Sequence, residues 1–448
     1  MSGFLPNTVR LRPGVALLDG CALLASAWLA FTVRFPSNVR AANWGEVLRH
    51  PGLIAVGLLS MWALATAAEL YEPLVVRSRR EVAVRVTVVA LAWGAVLALA
   101  TYAVPAWRFG RGLLALTTVA WALLAGAMRA ALARWLARRP RPRALVVGVP
   151  EAVADVLERL RLHPASPWEP VAGRAASAVE VATEARSLGA ELVVLAGREE
   201  AGTSLFDDVA HLHFSGLPVV VASEVWAWLD GRLPVGELTP AAFLHQPGFG
   251  AVHWELFNRL TRVLDLVLGA VLLVASLPLL LLAMAAVLLT DGRPVLFRQI
   301  RLGQYGRPFE VLKLRTMRRN AEQDGPVFAE RDDPRATRVG RILRRLRIDE
   351  LPQLVNVLRG EMSLVGPRPE RPEFIAELAR EIPFYTYRLA VPPGLTGWAQ
   401  VSMSYARTLD EHRRRLEYDL YFIRERSVGL YLLTLLRTAS TAVAGARD

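Results

Sequence analysis

The sequence predicts four N-terminal membrane spans, then a Rossmann-like α/β domain, then a mainly α, candidate catalytic domain with a re-entrant membrane helix. Three observations carry that prediction. The chain has 448 residues, room for two or three domains. Its 53% hydrophobic content and mean hydropathy of +0.30 exceed those of an ordinary soluble protein. Apolar runs of bilayer length recur in the first third, and one more lies between Leu266 and Leu289.

The N-terminal region, residues 1–140, contains apolar stretches at Gly14–Val33, Pro51–Leu70, Val82–Val104 and Leu113–Leu136. The first follows Arg10 and Arg12 and passes Ala25-Ser26-Ala27, as a signal peptide would. It continues too far for one and reads as a retained membrane helix. Arginines at Arg10 and Arg12, at Arg77, Arg79 and Arg80, and along 134–143 fall on one side of a four-span arrangement, which puts both its ends in the cytoplasm. Asp19 and Glu69 are candidates for charges buried between helices. Cys21 is the only cysteine, so no internal disulfide can form.

Residues 141–240 alternate apolar runs (ALVVGV, ELVVLAG, LPVVVAS) with helical stretches, the pattern of a parallel α/β domain. A dinucleotide site needs G-x-G-x-x-G after the first strand, and here Gly148 is followed by Val149, Pro150 and Glu151. His211 and His213 alternate without a neighbouring acid cluster and read as packing residues. A linker at 241–257 leads to the domain at 258–448. Its opening helix, 262–290, carries Ser276 and Pro278 near the middle. Proline removes a backbone hydrogen bond and kinks a helix, so we expect the helix to enter the membrane, break near Ser276–Pro278 and return. Hydropathy alone favours a plain fifth span.

The stretch from Arg338 to Pro369 is the most informative. Arg338, Arg341, Arg344, Arg345 and Arg347 run into Asp349 and Glu350, then Pro352 and a Gly366-Pro367-Arg368-Pro369 turn. Guanidinium groups hold phosphate oxygens by charge-assisted hydrogen bonds. Two adjacent carboxylates can hold a divalent cation or supply a nucleophile. The block points to phosphoryl chemistry, although an arginine-rich solvated helix followed by an N-terminal acid pair would share part of the pattern. Upstream, residues flanking Gly303 and Gly306 alternate as in a β-hairpin ending in Lys313 and Arg315. The C-terminal run RRRLEYDLYFIRERSVGLYLLTLLRT suits an interfacial helix or a core-packed one.

TRVLD, FRQIRLGQYGRPFEVLKLRTM, DDPRATRVGRILRRLRIDELPQL, NVLRGEMSLVGPRP and PPGLTGWAQV, in this order over residues 261–443, resemble the bacterial sugar transferase family of monotopic polyprenyl-phosphate phosphoglycosyl transferases. The four spans and α/β domain resemble, more loosely, its larger members, which initiate exopolysaccharide or O-antigen synthesis. The resemblance implies transfer of a sugar phosphate from a UDP-sugar to polyprenyl (undecaprenyl) phosphate with release of UMP. It implies that Asp349 is the nucleophile and carries a covalent phosphosugar, and that Glu350 with Asp349 holds Mg²⁺. Arg344 and Arg368 match phosphate-binding arginines, while Lys313 and Arg315 match a basic motif. A nucleotide-activated substrate is cytoplasmic, so the catalytic domain belongs on the cytoplasmic face of the bacterial inner membrane, which favours the re-entrant helix. A helix start should help keep Asp349 ionised. The partners implied are the UDP-sugar, the polyprenyl phosphate and membrane lipid. Oligomeric state, a homo-oligomer included, is open, as is the identity of the sugar.

Three other readings compete. The α/β domain could be a sugar-nucleotide-modifying enzyme, against which the broken glycine pattern argues. The chain could be a non-catalytic membrane scaffold of polysaccharide export. Nucleic-acid binding fits the formal charge of +12 but lacks any reader motif.

Overall fold

The structure is a computed structural model and describes residues 12–68, 70–71, 79–107, 110–138, 140–163, 166–174, 177–197, 216–240, 243, 247–249, 254–319, 321, 333–404 and 406–443. Arg10, Glu69, Arg77, His211 and His213 lie outside them. Two compact units emerge, Met1–Asp230 and Gly231–Asp448.

The first unit opens with helices α1 (Arg12–Arg34), α2 (Ser37–Leu48), α3 (Pro51–Ala67), α4 (Arg79–Ala103) and α5 (Arg111–Ala137). Of these, α1, α4 and α5 are long and apolar enough to cross a bilayer; α2 and α3 meet at 77° and together could form one further, broken span. Leu23, Met61, Trp93 and Trp121 form the interior, and large apolar side chains such as Leu91 and Leu123 face outward. That is how a helix surrounded by lipid distributes them. Asp19 finds its partner in Arg129 across the α1–α5 contact, at 2.6 and 2.9 Å, with both side chains fully buried. A charge at this depth persists when paired and hydrogen-bonded.

The same unit continues with β1 (Arg143–Gly148), α6 (Pro150–Leu162), β2 (Glu169–Ala172), α7 (Ala178–Leu188), β3 (Ala190–Ala196), β4 (Val219–Val221) and α8 (Ala222–Asp230). The strands are all parallel, in the order β2-β1-β3-β4. Helices α6 and α8 cover one face and α7 the other. Gly148, at φ +136, is demanded by close packing, since a Cβ there would lie 1.9 Å from the Ala196 carbonyl oxygen. That oxygen accepts the Val149 N–H at 3.1 Å. Pro150, opening α6, has no N–H to offer. Two of the backbone donors a pyrophosphate would use at this turn are therefore consumed or missing.

The second unit contains α9 (Trp254–Asp291), β5 (Leu296–Leu302), β6 (Pro308–Leu314), α10 (Arg338–Arg345), α11 (Gln353–Arg359), β7 (Ser363–Val365), α12 (Pro372–Glu381), β8 (Gly394–Thr396), α13 (Trp398–Ser402), α14 (Leu409–Arg424) and α15 (Val428–Val443). Helical structure in α9 runs without interruption through Ser276 and Pro278. Both of its ends pack on the body of the unit. Near the start, Arg262 donates to the carbonyls of Val357 and Leu358, and Asp265 accepts from Leu364 N–H at 2.7 Å and Tyr431 OH at 2.6 Å. Near the end, Leu280, Ala283 and Val287 pack against Leu314, Leu343 and Ile348. Residues 270–279 between them are mostly exposed and apolar.

Strands β5 and β6 form the expected antiparallel hairpin, from Leu296 opposite Leu314 to Leu302 opposite Pro308. Helix α14 is core-packed, burying Leu416, Leu420, Phe422 and Ile423. Its Glu417 also holds the chain that enters the unit, through Arg232 at 2.5 Å and the Val235 N–H at 3.2 Å.

Candidate active site

The acid pair sits on a short turn braced from both sides. Thr337 caps α10, accepting from Gly340 N–H at 2.9 Å, and its hydroxyl also reaches Asp291 at the end of α9. Arg347 then adopts a left-handed conformation, φ 55, that a side chain tolerates only at a cost of about 1–3 kcal/mol. This reversal points the next turn, the 3₁₀ segment Ile348–Glu350, back toward β6. Pro352 leads into α11, as its missing N–H allows.

Four of the expected residues converge here. The Glu350 Oε1 accepts from Lys313 Nζ at 3.3 Å and from Arg368 Nη2 at 3.0 Å, while Arg347 approaches the other oxygen at 4.0 Å. Burial alone would raise the Glu350 pKa, but Arg368, Lys313 and Arg347 outweigh it and hold this carboxyl well below the usual range. Burial lowers the Lys313 pKa, with Glu350 opposing. Asp349 differs: it is 8% exposed, and among the described residues none donates a hydrogen bond to its carboxylate. Burial, then the neighbouring Glu350, push its pKa up to about 6, against the pull of Lys313, Arg344 and Arg368. Asp349 thus stays mostly ionised at pH 7, but less completely than an ordinary aspartate. A terminal dipole contributes about 0.3–1 kcal/mol, whereas burial beside a like charge acts more strongly.

Arg344, on α10, is close enough to act on Asp349 electrostatically. Arg315 is used differently: its guanidinium donates to the carbonyls of Asp291 and Gly292, capping the end of α9. Ser276 and Pro278 lie within α9, where Ser276 Oγ donates to Leu273 O at 3.2 Å.

The Gly366–Pro369 turn rests on a buried ionic layer that sequence reasoning missed. Arg388 donates to the Arg368 carbonyl at 3.2 Å and pairs with Asp419 at 2.8 Å. Arg301 donates to the Pro369 carbonyl at 3.3 Å and pairs with Glu370, which Arg415 also holds at 2.9 Å. Arg415 and Asp419, one turn apart on α14, were the available signal: opposite charges among the apolar positions Leu416, Leu420 and Ile423. Gly366 is required where it stands, since a Cβ would fall 2.3 Å from the Pro392 carbonyl oxygen.

Among the described residues no group of three or more histidines, cysteines or acids could hold a metal ion. Asp349 and Glu350 still offer two adjacent carboxylates. Magnesium commonly takes one or two from a protein and completes its shell with water and substrate phosphates. The donor set fits magnesium on those terms.

A buried acid pair, ringed by cations, is carried by a unit whose longest helix is apolar enough to cross a bilayer. The chain belongs to the bacterial sugar transferase family, whose sequence pattern matches residues 256–445. It is 49% identical over 181 residues to the UDP-glucose:undecaprenyl-phosphate glucose-1-phosphate transferase of Caulobacter vibrioides, covering 40% of this chain and 67% of that one. It is 38% identical over 238 residues to the UDP-N-acetylgalactosamine-undecaprenyl-phosphate N-acetylgalactosaminephosphotransferase of Aeromonas hydrophila, covering 53% and 55%. To the Escherichia coli UDP-glucose:undecaprenyl-phosphate glucose-1-phosphate transferase it is 42% identical over 174 residues, 38% of each chain. The chain thus spans about half the length of the Aeromonas relative and less of the Escherichia coli one.

Proposed function

We propose that the protein is an initiating membrane phosphoglycosyl transferase. It moves a sugar-1-phosphate from a UDP-sugar to polyprenyl (undecaprenyl) phosphate and releases UMP, for exopolysaccharide or O-antigen synthesis. The observation that carries this reading is the Asp349 carboxylate, buried, without a hydrogen-bond donor among the described residues and facing three cationic side chains, beside a glutamate whose charge is already matched. An Asp349 oxygen attacks the phosphorus next to the sugar. The new O–P bond forms as the bond to the UMP oxygen breaks, and UMP leaves with that electron pair. The acceptor's phosphate oxygen then attacks the same phosphorus and returns Asp349 as carboxylate. Two displacements spare the protein from holding two anionic substrates in one transition state. Arg368 and Lys313 orient phosphate oxygens, and Glu350 fixes both cations. Bound by Asp349, Glu350 and the diphosphate, magnesium would offset negative charge on the departing nucleotide.

For topology we infer a re-entrant α9 with the catalytic unit on the cytoplasmic face of the bacterial inner membrane. A straight helix from Phe257 to Asp291 would measure about 52 Å, against about 30 Å of hydrocarbon. That both ends of α9 pack on one body while its middle is exposed supports a bend at Ser276–Pro278. In a Cys21→Ala background, Arg298→Cys, on the exposed hairpin, should react only with reagent supplied from the cytoplasmic side. Reaction from outside overturns this topology.

The function is tested by supplying a UDP-sugar panel with undecaprenyl phosphate and identifying the released nucleotide. UMP is expected. UDP would mean ordinary glycosyl transfer, and no nucleotide from any donor would favour the scaffold reading.

A further inference from the structure

Asp349, Gln353 and Asn356 fall at i, i+4 and i+7 of a backbone that stays helical from Ile348 onward. Leu351 (φ −56, ψ −37) and Pro352 (φ −60, ψ −20) join the 3₁₀ turn to α11 without a break. Residues so spaced share one face, with about 6 Å between Cβ atoms a turn apart. Asn356 fixes where that face points. Its Nδ2 donates to the Glu310 carbonyl at 2.8 Å and its Oδ1 accepts from Leu312 N–H at 3.1 Å, both on β6. The next residue of that strand, Lys313, is the one that reaches Glu350. Gln353 therefore stands between the Asn356 anchor and Asp349, on the wall shared with Lys313.

Gln353 is 4% exposed, and its Nε2 has no hydrogen-bond partner among the described residues. Amides buried for packing alone are almost always satisfied, as Asn356 is one turn on. This buried amide, without a partner among the described residues, stands one turn from the Asp349 carboxylate and can donate to an oxygen brought there by substrate.

We propose that Gln353 is a further catalytic residue. Resting on the phosphotransfer reading above, its side-chain amide donates to a non-bridging oxygen of the phosphoryl group while that group is being joined to Asp349. Lys313 and Arg368 share their charge with Glu350. A neutral donor on that wall adds a directed contact without further depressing the basicity of the nucleophile. It strengthens as charge builds on the equatorial oxygens in the transition state.

The test uses the full-length protein in detergent or nanodiscs. Single-turnover UMP release without acceptor is measured for wild type, Gln353→Leu and Gln353→Glu. Gln353→Leu removes an unmatched buried amide at near-constant volume, so thermal stability should hold or rise while the rate falls about 10- to 100-fold. In Gln353→Glu the protonated acid can donate and the ionised one repels phosphate. Its rate relative to wild type should therefore climb as pH falls from 8 to 6, with Asp349, Glu350, Lys313, Arg344 and Arg368 common to both proteins. A rate for Gln353→Leu within twofold of wild type overturns the proposal and leaves the phosphotransfer reading standing. So does a loss of rate matched by a loss of folded protein in both variants. Absence of UMP release by wild type with every donor overturns both.

Discussion

The raised pKa of Asp349 makes the first half-reaction a titration of its nucleophile. With a pKa of about 6, roughly 90% of the side chain is ionised at pH 7, half at pH 6 and about 10% at pH 5. Acceptor-free UMP release, followed by rapid quench, should fall about tenfold between pH 7 and pH 5. An aspartate at the ordinary value near 3.8 would lose less than a tenth of its activity over that range. The same shift has a thermodynamic consequence. The folded protein holds the Asp349 proton more tightly than the unfolded chain does. The resulting stability is full below the unfolded value of 3.8 and is lost as pH rises through about 6. A shift of about two units corresponds to about 3 kcal/mol. Asp349→Asn should therefore be inactive yet melt higher than wild type at pH 7.5, and lose that part of the pH dependence. A flat rate profile down to pH 5, or an asparagine variant that melts lower at neutral pH, would refute the reasoning.

Three further outcomes follow from the contacts. Glu350→Gln removes the like charge beside Asp349, so the midpoint of the rate profile should move below 6; a midpoint that stays or rises contradicts the assigned cause. Asp419→Asn leaves Arg388 buried without its counterion and should cost about 3–5 kcal/mol, with a raised KM for the UDP-sugar because the Arg368 carbonyl loses its anchor; an unchanged melting point and KM would show the layer to be dispensable. In the membrane unit Asp19→Asn should lower thermal stability by a comparable amount, and the apolar double variant Asp19→Leu/Arg129→Met should regain most of it. Equal losses for both would mean that packing volume, not charge, is what matters there.

What could be read from the chain was local or periodic. The hairpin around Gly303 and Gly306, the entry of Pro352 into a helix, and bilayer-length apolar runs each depend on neighbours within a few residues. That Lys313, Glu350 and Arg368 would serve one site was implied by the family resemblance of the motifs that contain them, not by spacing. Contacts between distant positions were not. Arg388 and Asp419 are 31 positions apart, and Asp19 and Arg129 are 110 apart. Nothing in either neighbourhood names the other. The capping of α9 by Arg315 was not legible either, because a basic residue after a strand can serve a phosphate or a helix C-terminus and its own neighbourhood does not show the path of α9. The rise in the Asp349 pKa was not legible, because the sequence shows its position in a turn but not its depth of burial.

The central claim is that Asp349 itself carries the transferred group. The direct measurement is mass spectrometry of the full-length protein, incubated with a UDP-sugar without acceptor, quenched in acid and digested. The peptide containing Asp349 should gain the mass of one sugar phosphate, disappear on adding undecaprenyl phosphate, and never form in Asp349→Asn. An unmodified peptide from enzyme that releases UMP at its full rate once acceptor is present would contradict the account.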